Sequence, residues 1–405
     1  MILACVIPIL AVIQIFWLTL APIVDIASKY YHVSSLSIAL ISMSYMIIYI
    51  FFTIPASLLA DKKGFRICFL VGSVITAGFG LMRGLCSFSF PLVLTAQLGI
   101  AVAQPFLVNP ITKLAATWFP VNERATVSGI GSMAGYLGMI VAMTLTPILT
   151  TSLDIGQMMR IYGYASVICA LIVIIFIREK PKTPAGPGGE VSSDFGLKDF
   201  AAIKNNKSYI ILMIVMFIAL GIFNALMTCI SDILTPRGIS ADGAGLIGGV
   251  IVLVGLVGAF IIPVLSDKFR KRRLVLIISV AVALPAIIGL SFFPIFSLIM
   301  LSAAVAGFFM MGVGPVAFQY GAEIAYPLPE GTSYGMLMVM GQISGVLFTL
   351  MMYGLRLKSG SMSVSLLILS VLLAAGVVLT FRLKESKIIV LADKPEEKIY
   401  TSVNS

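Results

Sequence analysis

Apolar positions in this chain come in long unbroken runs rather than in alternation with polar ones. Twelve such runs are readable, at 3–27, 34–60, 66–88, 91–117, 124–151, 157–178, 208–233, 242–266, 273–293, 296–322, 332–356 and 362–382. About 20 apolar residues in helical form cross the hydrocarbon core of a bilayer. A membrane barrel would instead show short segments of alternating polarity, and none is visible. The pattern predicts an all-α membrane protein of twelve transmembrane helices. The longest interruption, 179–207, opens with "EKPKTPAGPGGE", whose Pro and Gly make a flexible linker. It separates an N-terminal six-helix bundle at 1–178 from a C-terminal six-helix bundle at 208–382, and a polar tail follows at 383–405. The first run starts at the N-terminus without a basic stretch before it. It is long for the apolar region of a signal peptide, so it is expected to remain as the first span.

Composition agrees and adds orientation. The 405 residues are 60% hydrophobic and only 11% charged, whereas a soluble domain carries about 25% charged residues. That excludes a soluble enzyme, a disordered protein and a disulfide scaffold. The net charge of +10 would raise nucleic acid as a partner in a soluble chain. Here it follows the rule that cytoplasmic loops hold Lys and Arg. Of the 27 basic residues, only Lys29, Arg83, Arg160, Arg237, Arg356 and Lys358 fall in spans or on the minority side. Both termini and the linker are therefore expected in the cytoplasm, with the bilayer and a small-molecule solute as partners and no nucleic acid. The five cysteines and the single histidine, His32, show no metal-ligand spacing. No cofactor is expected.

The two halves repeat. Asp61 in "SLLADKKGFR" and Asp267 in "PVLSDKFRKRR" are 206 residues apart, and Pro120 and Glu123 precede Pro327 and Glu330 by 207. Related halves of this kind place a solute site between them near the midplane. Span 1 carries one polar and aromatic stripe, Gln14, Trp17, Ala21 and Asp25, at helical spacing. The alternative reading of Trp17 is a packing residue, and that of buried Gln is interhelical hydrogen bonding.

The loop of Asp61, Lys62, Gly64 and Arg66 resembles the signature loop of the major facilitator superfamily, with Ser57 where its leading Gly is usual. The resemblance implies the twelve-helix major facilitator fold. It also implies a cytoplasmic gate that involves Asp61, Arg66, Asp267, Glu123, Arg124, Glu323 and Glu330. A plain topology anchor is the alternative for these charges. The stretch from Phe318 to Leu350, with Glu323, Tyr326-Pro327, Glu330-Gly331-Thr332-Ser333 and Gln342, resembles the feline leukaemia virus subgroup C receptor-related family. Members of that family move choline, ethanolamine and, by some accounts, haem.

That likeness implies a pocket for a small organic cation, with Trp17 and Phe223 as aromatic walls and Gln104 and Gln342 as amide dipoles. Gln14 and Tyr136 would add to its lining. The chain departs from the family at Tyr136-Leu137, where an amide pair is usual, at Gln319 in place of Glu, and at Met338 in place of Asn. Asp25, Asp232 and Glu323 lie near span ends rather than at the midplane, which favours facilitated over proton-coupled transport. The expectation is a monomeric alternating-access carrier in the plasma membrane, not an enzyme. The alternative is a proton-coupled carrier of another organic solute, such as an organic anion, a vitamin or haem.

Overall fold

In hydrocarbon every backbone N–H must find its acceptor within the protein, so long apolar runs fold as helices. The computed structural model describes residues 2–119, 124–179, 206–325, 330–359 and 361–385. The linker, apart from its ends, and the tail beyond Glu385 lie outside the described residues. The first half holds α1 (Ile2–Leu18), α2 (Val24–Tyr31), α3 (Ser35–Lys63), α4 (Phe65–Leu85), α5 (Phe90–Val108), α6 (Ile111–Trp118), α7 (Arg124–Ser152) and α8 (Ile155–Phe176). The second holds α9 (Lys207–Leu234), α10 (Ala241–Phe269), α11 (Arg272–Phe292), α12 (Phe296–Ala325), α13 (Glu330–Ser359) and α14 (Ser363–Thr380). Twelve stretches are long and apolar enough to cross a membrane, and no strand occurs among the described residues.

Two spans are broken. Span 1 consists of α1 and α2 with a 3-10 turn at Ala21–Ile23 between them. Pro22 offers no N–H to the preceding turn, so the helix stops and its last carbonyls lose their partners. Span 4 breaks between α5 and α6 at Asn109-Pro110 for the same reason. There the Asn109 amide donates to the Thr53 hydroxyl at 3.0 Å and accepts from the Tyr49 hydroxyl at 3.0 Å. The side chain at the break is thereby tied to α3.

The repeat extends to the helix starts. The carboxylate of Glu179, just after α8, accepts the backbone N–H of Arg66 at 2.8 Å. The carboxylate of Glu385, just after α14, accepts that of Arg273 at 3.2 Å. The two glutamates are 206 residues apart, like Asp61 and Asp267. Each places an anion at the positive end of a helix, where it is favoured.

The chain divides into two compact units. The first comprises the described residues of Met1–Ser192, Phe223–Leu253 and Gly345–Ser365; the second comprises those of Ser193–Ile222, Val254–Ser344 and Leu366–Ser405. The first unit thus joins the first-half helices to one end of α9, α10 and α13. Glycine permits the closest approaches within it. A methyl at Gly138 would fall 2.0 Å from the Ala11 carbonyl oxygen, fixing α7 against α1. A methyl at Gly245 would fall 2.3 Å from the Met143 carbonyl oxygen, so α10 lies directly on α7.

The first unit also buries an acid. Asp232 is 0% exposed. It accepts hydrogen bonds from the Tyr353 hydroxyl and from the Arg356 guanidinium, which ion-pairs with it. The pairing accounts for Arg356, which lies apart from the main basic loops. Removing one partner of a buried pair leaves the other uncompensated, whereas replacing both with apolar groups is often neutral. Arg356→Met is expected to lower the melting temperature by several degrees, and Asp232→Leu combined with Arg356→Met to restore most of it. A double mutant no more stable than Arg356→Met alone would contradict this account.

Candidate functional site

Trp17 occupies the last turn of α1, immediately before the break. Its side chain is buried, with 7% exposure. Its carbonyl oxygen accepts the Ser42 hydroxyl at 3.0 Å. Its indole N–H has no hydrogen-bond partner in the protein. Gln14 lies one turn earlier on the same face and is half-buried. Its Oε1 is buried and likewise unpartnered. Gln14 rests on α7 at Gly135, where a Cβ would lie 3.4 Å from its Cγ. Tyr136, half-buried, is the next residue of α7.

Gln104 comes from α5. It is 9% exposed, and its Oε1 has no partner. Seven residues earlier on that face, the Gln97 amide donates to the carbonyls of Phe16 at 3.0 Å and Ile41 at 3.2 Å. The same face of α5 therefore turns toward α1 and α3. Phe223, on α9, is half-buried in the first unit beside the buried Asn224. There α13 approaches at Gly345, where a methyl would fall 2.7 Å from Met46 Sδ and 2.9 Å from Asn224 Cβ.

The first unit thus contains Trp17, Gln14, Gln104, Tyr136 and Phe223. Gln342 belongs to the second unit, where the adjacent Gly341 packs on Leu220. These residues obey the same repeat. Trp17 and Phe223 are 206 residues apart, and so are Tyr136 and Gln342. The contact of Gln14 with Gly135 recurs as that of Leu220 with Gly341, both members shifted by 206. Trp17 and Phe223 give both halves an aromatic residue at one equivalent position, whereas Tyr136 is matched in the repeat by an amide, Gln342, and the amide Gln14 by an apolar leucine, Leu220.

Of the gate residues, Arg66 is exposed and is held through its backbone by Glu179. Asp267 and Glu323 both pair with Arg272, the latter at 3.3 Å, and the Gln319 amide reaches Glu323 at 3.4 Å. That network lies within the second unit. Glu123 lies outside the described residues, as do the side chains of Asp61, Arg124 and Glu330.

Sequence reasoning missed three groups. Glu179 and Glu385 were discoverable from the offset that relates Asp61 to Asp267. The pairing of Asp232 with Arg356 joins residues 124 apart in sequence, and no local pattern signals it. Arg83, which sits near a span end in the sequence, is 1% exposed.

A family model described as Major Facilitator Superfamily matches residues 6–349 and 212–398. The chain belongs to the major facilitator superfamily. Within the superfamily it is similar to solute carrier family 49 member A3 of Xenopus tropicalis, 28% identical over 83% of this chain and 73% of that protein. It is also similar to the choline/ethanolamine transporter FLVCR2 of Homo sapiens, 28% identical over 82% of this chain and 67% of that protein. The choline/ethanolamine transporter FLVCR1 of Felis catus is 29% identical over 91% and 69% respectively. A bacterial homologue of the human lysosomal transporter Spinster, inward-facing and unoccupied, matches 98% of both chains with a TM-score of 0.75 at 17% identity. The shared superfamily fold is that of membrane transporters.

Proposed function

We propose that this multi-pass membrane transporter carries a small organic cation of the choline and ethanolamine class by facilitated, alternating-access transport. The observation that carries the reading is the buried group on α1 and α5. Trp17 offers an aromatic face beside its own free N–H, and Gln14 and Gln104 each present an unpartnered amide oxygen. A quaternary ammonium has no hydrogen to donate and is held by aromatic faces. Amide oxygens accept from the hydroxyl or primary ammonium of such solutes. Phe223, at the position equivalent to Trp17, is the second aromatic wall in this reading, and Tyr136 and Gln342 form the second equivalent pair. The similarity to choline/ethanolamine transporters supports the same substrate class.

Further parts of the proposal concern setting. The distribution of Lys and Arg supports a cytoplasmic linker and termini. A monomer in the plasma membrane satisfies the fold. The loops around Asp61 and Asp267, with Arg66, Glu123, Arg124, Glu323 and Glu330, serve as the cytoplasmic gate.

Coupling to protons needs an acid whose protonation changes with state. Asp232, the fully buried acid among the described residues, is held by Arg356. Uptake of labelled choline into voltage-clamped proteoliposomes is therefore expected to be saturable and to persist when a protonophore collapses the pH gradient. Strong loss of uptake would favour the proton-coupled alternative instead. Saturable uptake of an organic anion, with none of choline, would overturn the substrate class.

A further inference from the structure

Arg83 is buried on α4, and no carboxylate pairs with it among the described residues. Taking an uncompensated guanidinium out of water is costly, so its remaining contacts bear on why it is tolerated. Its Nη1 donates to Gln97 Oε1 at 2.7 Å and to the Phe16 carbonyl at 3.2 Å. The Gln97 amide nitrogen donates to the same carbonyl at 3.0 Å. The guanidinium carbon also lies 5.4 Å from the centre of the Phe16 ring.

The Phe16 carbonyl needs such partners because α1 ends two residues later. At membrane depth an interrupted helix persists only where other groups satisfy the freed backbone. Ile15, in the same last turn, is served by the Thr19 hydroxyl at 2.5 Å, and the Tyr45 hydroxyl adds a bond to the Ile13 carbonyl within α1 at 3.0 Å. Trp17 itself is held by Ser42.

The second half supplies a built-in control. The positions 206 residues beyond Arg83, Gln97, Ser42 and Tyr45 hold Gly289, Ala303, Gly248 and Ile251. None of these carries a polar side chain. The equivalent helix, α9, runs unbroken from Lys207 through Phe223 to Leu234. The polar group is present in the half that has the break and missing from the half that lacks it.

We propose that Arg83 and Gln97 are positioning residues for the solute site: they hold the broken end of α1 and thereby set the place of the adjacent Trp17 indole. The proposal rests on the reading that Trp17 meets the solute, but its test has a separate readout. The chain has two tryptophans, so a Trp118→Phe background leaves Trp17 as the sole emitter. In that background, purified full-length Arg83→Met is expected to shift Trp17 emission and alter its acrylamide quenching. Choline affinity should fall about tenfold, the worth of one or two hydrogen bonds. The melting temperature should hold or rise, because a buried charge has gone.

Arg83→Lys, which still donates to Phe16 and Gln97, should recover most of the affinity and the native emission. Should Arg83→Met fail to fold, Gln97→Leu carries the same expectations for emission and affinity, with a lower melting temperature because the buried Arg83 keeps its charge and loses its Gln97 partner. Native emission together with native affinity in the folded variant overturns the assignment. If the native chain binds no choline, the substrate reading fails, and the emission of Trp17 alone decides the positioning role.

Discussion

Replacing Trp17 with alanine is expected to weaken choline binding roughly thirtyfold or more, the equivalent of about 2 kcal/mol of desolvated cation–π attraction. Uptake at low substrate concentration should fall in proportion. The side chain is buried, so loss of folding must be separated from loss of the ring's face. Trp17→Phe provides the separation. It keeps a π surface, of weaker quadrupole and without the N–H, and should retain most of the affinity. Titration of purified protein with choline, with ethanolamine in parallel, gives both values. Native affinity in a folded Trp17→Ala variant would remove Trp17 from the site. The comparison between solutes reads the amides as well. If Gln14 and Gln104 receive a ligand's N–H or O–H, ethanolamine loses less than choline when only the ring is removed.

The second large effect is expected at Gly245. The first unit presses α10 onto α7 there, with the Met143 carbonyl oxygen and the Pro147 ring occupying the space of a side chain. A carbonyl oxygen on a helix backbone cannot swing aside as a flexible side chain can. Under the proposed alternating access the two halves rock against each other, and this contact would then form and separate in each cycle. Gly245→Leu should prevent its formation and cut transport about a hundredfold, because conformational steps set the turnover of such proteins. Binding of solute should change little, since no site residue is replaced. Gly129, with nothing within 4 Å of an added methyl, is the control: Gly129→Ala should transport normally. Full transport by Gly245→Leu would show that the contact is static packing.

Much of this was legible in the sequence, for identifiable reasons. Spans are written as apolar length, so all twelve could be read. The repeat was visible wherever polar residues punctuate the loops, as at Asp61 and Asp267. The bend of span 4 was legible in Pro110, but the break of span 1 was not, although Pro22 is there to be seen. The residues around it stay apolar, and hydropathy does not distinguish a bent span from a straight one. Burial of Arg83 was illegible for the opposite reason. A basic residue near a span end ordinarily reaches the interface by its long stem, and only the structure shows this one turned inward to a carbonyl. Among the candidate site residues, sequence supplied the identities. The equivalence of Trp17 with Phe223, and of Tyr136 with Gln342, became evident once Gln14 on Gly135 and Leu220 on Gly341 were seen as the same contact.

The pairing of Asp232 with Arg356 has an electrical consequence. A buried acid already neutralised by a fixed base brings no free negative charge to travel with a cation. A monovalent solute carried under the proposed function would then cross with its own charge unbalanced, and each turnover would be a current. The membrane potential does work of about 2.3 kcal/mol per charge per 100 mV. At roughly 60 mV, interior negative, that corresponds to about a tenfold ceiling on accumulation inside. A cell could therefore concentrate the solute through this chain without spending a proton or a nucleotide, and would lose that gradient on depolarising.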